Sequence, residues 1–283
     1  MTSQNFDLDA YFARIGYAGP RAPTLAVLGA IVTHHTHAIA FENLDVVARN
    51  PINLDAVSLQ KKLVGQPRGG YCFEQNGLFL AALTAMGFVV HGLVAHVRLG
   101  VPAHIEMTRT HMVLRVELPD GPYLADVGFG GLTPTAPLRL RTGVEQPTPH
   151  ETYRLVEAGD EFMLQARLGE DWRDVYCLGL QRQRLVDYEL ANWFTATNPK
   201  APFLGNVIAT RPVPGERRTL FNWRFVRRPL GQPPQPRIIG STGEYATILR
   251  QEFALVPNGT VMAAVAETLG RHAPDAAPPG PFA

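Results

Sequence analysis

Cysteine is almost missing from this chain: 283 residues contain two, Cys72 and Cys177. Two are too few for a disulfide framework and fit a reducing compartment, where a thiol stays free. Net charge is missing too. Twenty-six Lys and Arg against 25 Asp and Glu leave a formal charge of +1, which gives no argument for nucleic acid or an anionic membrane as partner. The first residues, Met1-Thr2-Ser3-Gln4-Asn5-Phe6-Asp7, lack a basic start and an apolar stretch, so no signal peptide and a cytoplasmic location are expected. The nearest thing to a membrane span is residues 77–97, uncharged apart from His91 and His96 and long enough to cross a bilayer. Gly87 divides it into a Leu/Ala/Met-rich half and a Val-rich half, so helix, turn and strand describe it better. No internal repeat is present. What the chain has is apolar residues, 46% of the total, enough for a sizeable core in one large domain or two to three small ones.

Residues 1–87 read as helical. Leu8, Tyr11, Phe12 and Ile15 share one helix face that Gly16 closes. Thr24 begins a second helix through Leu25, Leu28, Ile31 and Val32, and residues 58–64 form a short third. His34 and His37 could share a face of the second helix, but no carboxylate or cysteine stands at ligand spacing, so no metal is expected. From Phe88 to about Leu180 the period changes to two. Met112, Leu114, Val116 and Leu118 alternate with His111, Val113, Arg115 and Glu117. Pro119-Asp120-Gly121-Pro122 is a turn, and Tyr123 to Phe129 the return strand. Residues 161–168 and 174–180 are further strands, with Cys177 in the core, and the set suggests an antiparallel barrel or sandwich. Beyond it, residues 187–194 read as a short helix broken at Thr195–Pro199. Leu220–Val226 and Tyr245–Leu249 read as strands, and Thr260 as the cap of a last helix ended by Gly270. Arg217-Arg218 and Arg227-Arg228 read as solvated surface. The tail from Ala273 is rich in Pro, Ala and Gly and is expected to be disordered. The order of elements suggests an α+β fold.

The chemistry centres on Arg68-Gly69-Gly70-Tyr71-Cys72-Phe73-Glu74-Gln75-Asn76. Two glycines permit a tight turn and close approach, and the apolar run that follows ends at Gly87. The pattern predicts a loop that delivers Cys72 to the first turn of a helix, where free N–H groups and the helix dipole favour a thiolate. On its own Cys72 reads as a small buried hydrophobe, the common fate of a free cysteine. Its downstream company changes that reading. A sulfur nucleophile needs a base, and the base an orienting group. His111 lies at a strand end and would equally serve as a structural histidine. Asp126 sits between Ala125 and Val127, where a lone buried carboxylate is costly unless paired. Pairing Leu118 with Tyr123 puts His111 and Asp126 on one sheet face but four residues out of step, roughly 13 Å along the strand. A bulge, a strong twist or a different turn must join them.

The cysteine motif resembles that of the arylamine N-acetyltransferases. Phe41-Glu42-Asn43-Leu44-Asp45-Val46 is similar to the family's Pro-Phe-Glu-Asn-Leu segment, with Ala40 in place of the usual proline. His111-Met112-Val113-Leu114 and Asp126-Val127-Gly128-Phe129-Gly130 resemble its histidine and aspartate segments, in the same order. The likeness extends to about Phe225 and weakens beyond. It implies that Cys72, His111 and Asp126 form a papain-like Cys-His-Asp triad, that acetyl-CoA is the acetyl donor, and that an aromatic amine or hydrazine is the acceptor. It implies that Phe41 and Phe129 line the acceptor pocket, and that Thr197, Asn198 and Phe203 belong to a lid segment near CoA. Gly128, Gly130 and Gly131 follow a strand, and their N–H groups could cradle a CoA phosphate; a simple turn is the alternative. The expected architecture is a helical bundle (1–87) carrying Cys72, a central antiparallel β-barrel (88–191) carrying His111 and Asp126, and an α/β lid (192–283). No metal, nucleic acid or membrane is expected, and a homodimer is compatible with the sequence. The rival activities are a macrolactam-forming amide synthase acting on a carrier-bound thioester and a cysteine hydrolase. A binding protein with a dead triad is a third reading, opposed by the intact Cys72, His111 and Asp126.

Overall fold

The computed structural model describes residues 6–273 apart from residue 103, so the expectation for the tail lies almost wholly outside the described residues. The chain opens with α1 (Leu8–Ile15), capped by the Asp7 side chain and closed by Gly16 at φ 66°. Then come α2 (Leu25–Ala38), capped by Thr24, β1 (Phe41–Glu42), α3 (Leu44–Val47) and α4 (Ala56–Leu63). Helix α5 (Cys72–Ala85) starts at the cysteine, as the glycine-rich approach predicts.

An eight-stranded antiparallel sheet follows. Its strands are β2 (Val89–Val97), β3 (Arg109–Leu118), β4 (Gly121–Ala125), β5 (Leu138–Arg139), β6 (Gln146–Pro147), β7 (Thr152–Ala158), β8 (Glu161–Leu168) and β9 (Asp171–Leu178), in the spatial order β5-β4-β3-β2-β9-β8-β7-β6. The end strands meet through a side chain: Gln146 accepts from the Arg139 N–H at 2.6 Å and donates to its carbonyl at 3.0 Å, nearly closing the barrel. Alternation along β3 separates two cores. Met112, Leu114 and Val116 join the cluster that contains the α5 residues Phe73, Leu78 and Phe79. Val113 joins Leu93, Leu124, Tyr153 and Tyr176 in the other.

Helices α6 (Leu185–Thr197) and α7 (Pro202–Gly205) lead to a second sheet of β10 (Ile208–Val213), β11 (Glu216–Phe221), β12 (Arg224–Pro229) and β13 (Gln235–Ile238), with β1 on its other edge. The N-terminal region therefore supplies a strand to the C-terminal sheet. Helices α8 (Thr242–Phe253) and α9 (Gly259–Leu269) pack on it through Tyr245, Leu249, Phe253 and Val265. No helix among the described residues is long and apolar enough to cross a membrane.

Several expectations need correction. Tyr245–Leu249 is helix, because Ser241 caps it and Tyr245, Ile248, Leu249 and Phe253 recur at helical spacing on one buried face. The expected strand Leu220–Val226 is a hairpin of β11 and β12, turning at Asn222 with φ 50°. Helix α6 runs through Thr195 to Thr197, past the expected break and across position 192. The cap of α9 is Asn258, whose side chain accepts from Val261 at 3.0 Å. Arg217 is buried, with its Nε 2.6 Å from Glu151 Oε1. Arg218 pairs with Glu216 and Glu252.

Candidate active site

Glu42, Asp45, Lys62, Arg68 and Glu74 form a largely buried frame that places Cys72. Arg68 donates through Nε to Glu42 Oε1 at 2.9 Å, and its Nη2 lies 3.0 Å from Asp45. Lys62 bridges Asp45 at 2.5 Å and Glu74 at 2.6 Å. Burial disfavours the charge on Asp45, but Lys62 and Arg68 overcome this and hold it down at about 2. Glu74 in turn accepts the Tyr71 N–H at 3.1 Å, one residue before Cys72. The cysteine motif and the Phe41–Val46 segment are thus joined by ion pairs. A Cβ at Gly69 would lie 1.9 Å from the Ala40 carbonyl, so only glycine fits where these segments cross.

Gln75 also fixes this crossing. Its Nε2 donates to the carbonyls of Ala40 at 2.8 Å and Gly70 at 3.2 Å. Its Oε1 therefore faces His35 Nε2 at 2.8 Å, which makes that nitrogen the protonated one and His35 Nδ1 the acceptor of the Tyr11 hydroxyl at 2.9 Å. Burial lowers the His35 pKa to about 4, so this ring is neutral and structural. No group of three or more metal-ligating side chains occurs among the described residues.

The turn between β3 and β4 brings His111 and Asp126 together. The turn is Pro119-Asp120 alone, since Leu118 pairs with Gly121 and Val116 with Tyr123. This register leaves His111 two positions out of step with Asp126, half the expected offset and within diagonal reach. On the other edge of β3 there is a bulge: Ala95 pairs with His111 and His96 with Arg109, leaving Thr110 as the extra residue. The Thr110 carbonyl is the acceptor for the Cys72 thiol at 3.5 Å.

His111 donates through Nε2 to Asp126 Oδ2 at 2.7 Å, with both side chains at most 2% exposed. Its other nitrogen is left for Cys72, which lines the same cavity and also raises the pKa of the ring. Burial would lower the imidazole pKa, but the Asp126 carboxylate outweighs it, so His111 stands well above its usual range. Burial alone would raise Asp126; His111, Asn76 and the Gly128 N–H hold it below the usual carboxylate value. Asn76 lies one helical turn after Cys72. It donates to Asp126 Oδ1 at 2.9 Å and to the Met112 carbonyl at 2.7 Å, and accepts from the Val127 N–H at 3.0 Å. One helix therefore carries both the sulfur and the clamp on the carboxylate. A Cβ at Gly128 would lie 3.0 Å from Cys72 Cα and 2.9 Å from Asn76 Nδ2, so glycine permits this approach.

A cavity of about 290 Å³ opens on Cys72 and His111. Phe41, Phe129, Phe194 and Phe203 supply aromatic walls, and Val97, Leu99, Met107 and Ile208 aliphatic ones. Gly128 and Asn198 also line it, while Gly130, Gly131 and Thr197 do not. The Gly130 N–H donates to Thr133 Oγ1 at 2.6 Å, and the Thr197 hydroxyl to the Trp193 carbonyl at 2.6 Å. Sequence reasoning missed Asn76 as the clamp, although its spacing of four from Cys72 puts both on one helix face. It also missed Phe194, Thr195 and Lys200 among the cavity walls.

Known proteins resemble this chain over most of its length. An N-acetyltransferase family model matches residues 24–260. The Salmonella typhimurium arylamine N-acetyltransferase / N-hydroxyarylamine O-acetyltransferase is 40% identical over 252 residues, 89% of each chain. The Escherichia coli arylamine N-acetyltransferase is 39% identical over 249 residues, 88% of each. The solved Mycobacterium marinum arylamine N-acetyltransferase superimposes with a TM-score of 0.89 at 36% identity, covering 93% of this chain and 100% of that one. The same Mycobacterium marinum protein in complex with CoA gives 0.88 at 36% identity, covering 93% and 99%.

Proposed function

The chain belongs to the arylamine N-acetyltransferase family and transfers acetyl from acetyl-CoA to aromatic amines; from that premise we propose that the acetyl group passes through Cys72, with His111 as the acid–base group and Asp126 as its orienting partner. The observation that carries this assignment is the 2.7 Å bond from His111 Nε2 to Asp126, which leaves Nδ1 for the thiol.

Cys72 transfers its proton to His111 Nδ1, and Asp126 stabilises the resulting imidazolium. The thiolate attacks the acetyl carbonyl carbon of acetyl-CoA. The first N–H groups of α5 are unsatisfied within the helix and supply donors for the tetrahedral oxyanion. The bond to the CoA sulfur breaks, His111 returns the proton to that sulfur, and acetyl-Cys72 remains. The amine nitrogen then attacks acetyl-Cys72, His111 accepts the amine proton, and the Cys72 thiolate departs. Donor and acceptor thus act in turn, and the kinetics are ping-pong.

Phe41 and Phe129 are our candidates for the acceptor pocket, with Asn198, Phe203 and Gly128 on the CoA side. We further read residues 1–87, 88–191 and 192–283 as carrier of the nucleophile, carrier of the base and lid. The support is that the cavity walls come from all three. A ring-bound amine is largely neutral near pH 7, whereas an alkyl amine is protonated and has no free lone pair. Turnover of acetyl-CoA with anilines, hydrazides, alkyl amines and water alone tests the assignment. Anilines and hydrazides are expected to outrun alkyl amines and water. Fast turnover with water would favour a hydrolase. No turnover with any free amine, despite acylation of Cys72, would favour the amide synthase.

A further inference from the structure

Helix α6 buries one side and leaves large apolar residues on the other. Tyr188, Asn192 and Thr195 are buried. Val186, Leu190 and Trp193 are 62%, 69% and 63% exposed. Their spacing of four and then three residues puts them on one stripe of the helix. Arg182, Arg184, Asp187 and Glu189 are exposed around them. An apolar patch with a charged rim marks an interaction surface. Leu190 and Trp193 also form one bank of a groove of about 360 Å³, with Val94 and residues 108–110 on the other bank. The groove carries one charge of each sign, Asp187 and Arg109, at opposite ends of α6. The Asp187 end is fixed beside the middle of β2, where the Gln183 N–H donates to the Gly92 carbonyl at 2.9 Å and the Tyr188 hydroxyl to the Leu93 carbonyl at 2.9 Å. Arg109 pairs with His96, four residues further along β2 than Gly92, and lines the groove with Thr110 and Phe194. Both charged side chains stay exposed, although Asp187 accepts the Arg184 N–H at 2.8 Å and Arg109 lies 3.1 Å from Glu161.

We propose that this face of α6 is a homodimer interface, on which a second copy of the chain docks with its own α6 antiparallel. A second copy is selected because the surface complements itself. It offers both a ridge and the groove beside it, and a twofold axis at Leu190 turns each onto the other. Trp193 of one copy then meets Val186 of the other, since the two lie three and four residues from the axis. The same rotation sets Arg109 of one copy beside Asp187 of the other, twice. A parallel pairing would instead bring Arg109 level with Arg109 and Asp187 level with Asp187. The formal charge of +1 leaves little repulsion between copies, and an exposed tryptophan is a frequent anchor of such contacts. Thr108, Thr110 and Phe194 line both this groove and the cavity at Cys72, so the docked copy lies next to the catalytic site.

Sedimentation equilibrium of the full chain across a micromolar concentration series is expected to find a monomer–dimer equilibrium. Trp193→Glu and Leu190→Glu are each expected to raise its Kd by more than about tenfold, the scale of losing an interface anchor. Both side chains are exposed, and thermal unfolding checks that the variants keep the fold. Arg109→Glu and Asp187→Lys are each expected to weaken the dimer about two- to fivefold, the scale of an exposed ion pair. The two exchanges together are expected to restore it, which loss of the α6 cap at Asp187 cannot do. Leu190→Cys lies on the twofold axis opposite itself, and mild oxidation is expected to link two chains through it, since a disulfide needs Cα atoms about 4–7 Å apart. Cys72 and Cys177 are buried, so the wild type serves as the control. A wild type that stays monomeric throughout would overturn the proposal. So would a dimer indifferent to both Trp193→Glu and Leu190→Glu, which would lie on another surface. A dimer weakened by those two variants, but neither restored by the double charge exchange nor linked through Leu190→Cys, would overturn the antiparallel docking.

Discussion

Asn76→Ala removes the clamp between helix α5, which starts at Cys72, and Asp126. The side chain is fully buried and makes three hydrogen bonds, to Met112, Asp126 and Val127. After truncation the Val127 N–H has lost its partner, and a buried group in that state costs about 1–3 kcal/mol. Asp126 keeps His111 and the Gly128 N–H, so its loss is partial. The void left by the amide adds on the order of 1 kcal/mol. Together these predict a stability loss of about 2–4 kcal/mol in urea unfolding, with the m-value unchanged. Activity falls for a separate reason. Asp126 is then free to shift, and a displacement near 1 Å in a catalytic group costs up to about 100-fold. Asn76→Asp keeps the shape but sets a second carboxylate beside Asp126, and is expected to be slower than Asn76→Ala. A stability loss below about 1 kcal/mol with wild-type acetylation would refute this account of the clamp.

Arg68→Met leaves Glu42 buried without its cation and should destabilise by about 3–5 kcal/mol in chemical unfolding, with much of the loss recovered by adding Glu42→Gln. His111 has a raised folded pKa, so its contribution to stability is present below its unfolded value near 6.5 and lost as pH rises through the folded value. NMR titration should find its imidazolium persisting above pH 6.5, and Asp126→Asn should lower that pKa, since burial is then opposed by Cys72 alone. His35 has the opposite sign. Its folded pKa of about 4 means that stability falls between pH 6.5 and 4, by on the order of 3 kcal/mol for this group. His35→Gln should flatten that part of the acid unfolding curve.

The start of α5 at Cys72 is legible because two glycines, a cysteine and an unbroken apolar run coincide within twenty residues. The shared face of His111 and Asp126 is legible from alternation alone. Their separation is not, because it depends on whether the turn uses two residues or four, and that leaves no local signature. Residues 245–249 read as strand in a short window of Tyr, Ile and Leu. The helical repeat appears only when Ser241 and Phe253 are included. The burial of Arg217 depends on Glu151, 66 positions earlier, so a pair of adjacent arginines gives no warning of it. Asn76 was in view inside the motif, but its partners lie on β3 and just after β4 and become visible only in three dimensions.

Mass spectrometry of the intact protein after acetyl-CoA, without acceptor and then with aniline, tests the central claim most directly. The account predicts the mass of one acetyl group, mapped to the peptide that contains Cys72 and removed by aniline as the acetamide forms. Burial and the Glu161 carboxylate push the Cys177 thiol up to about 12, so that peptide should stay unmodified. Acetyl on Cys177, no acetyl at all, or acetyl on Cys72 that aniline does not remove would contradict the account.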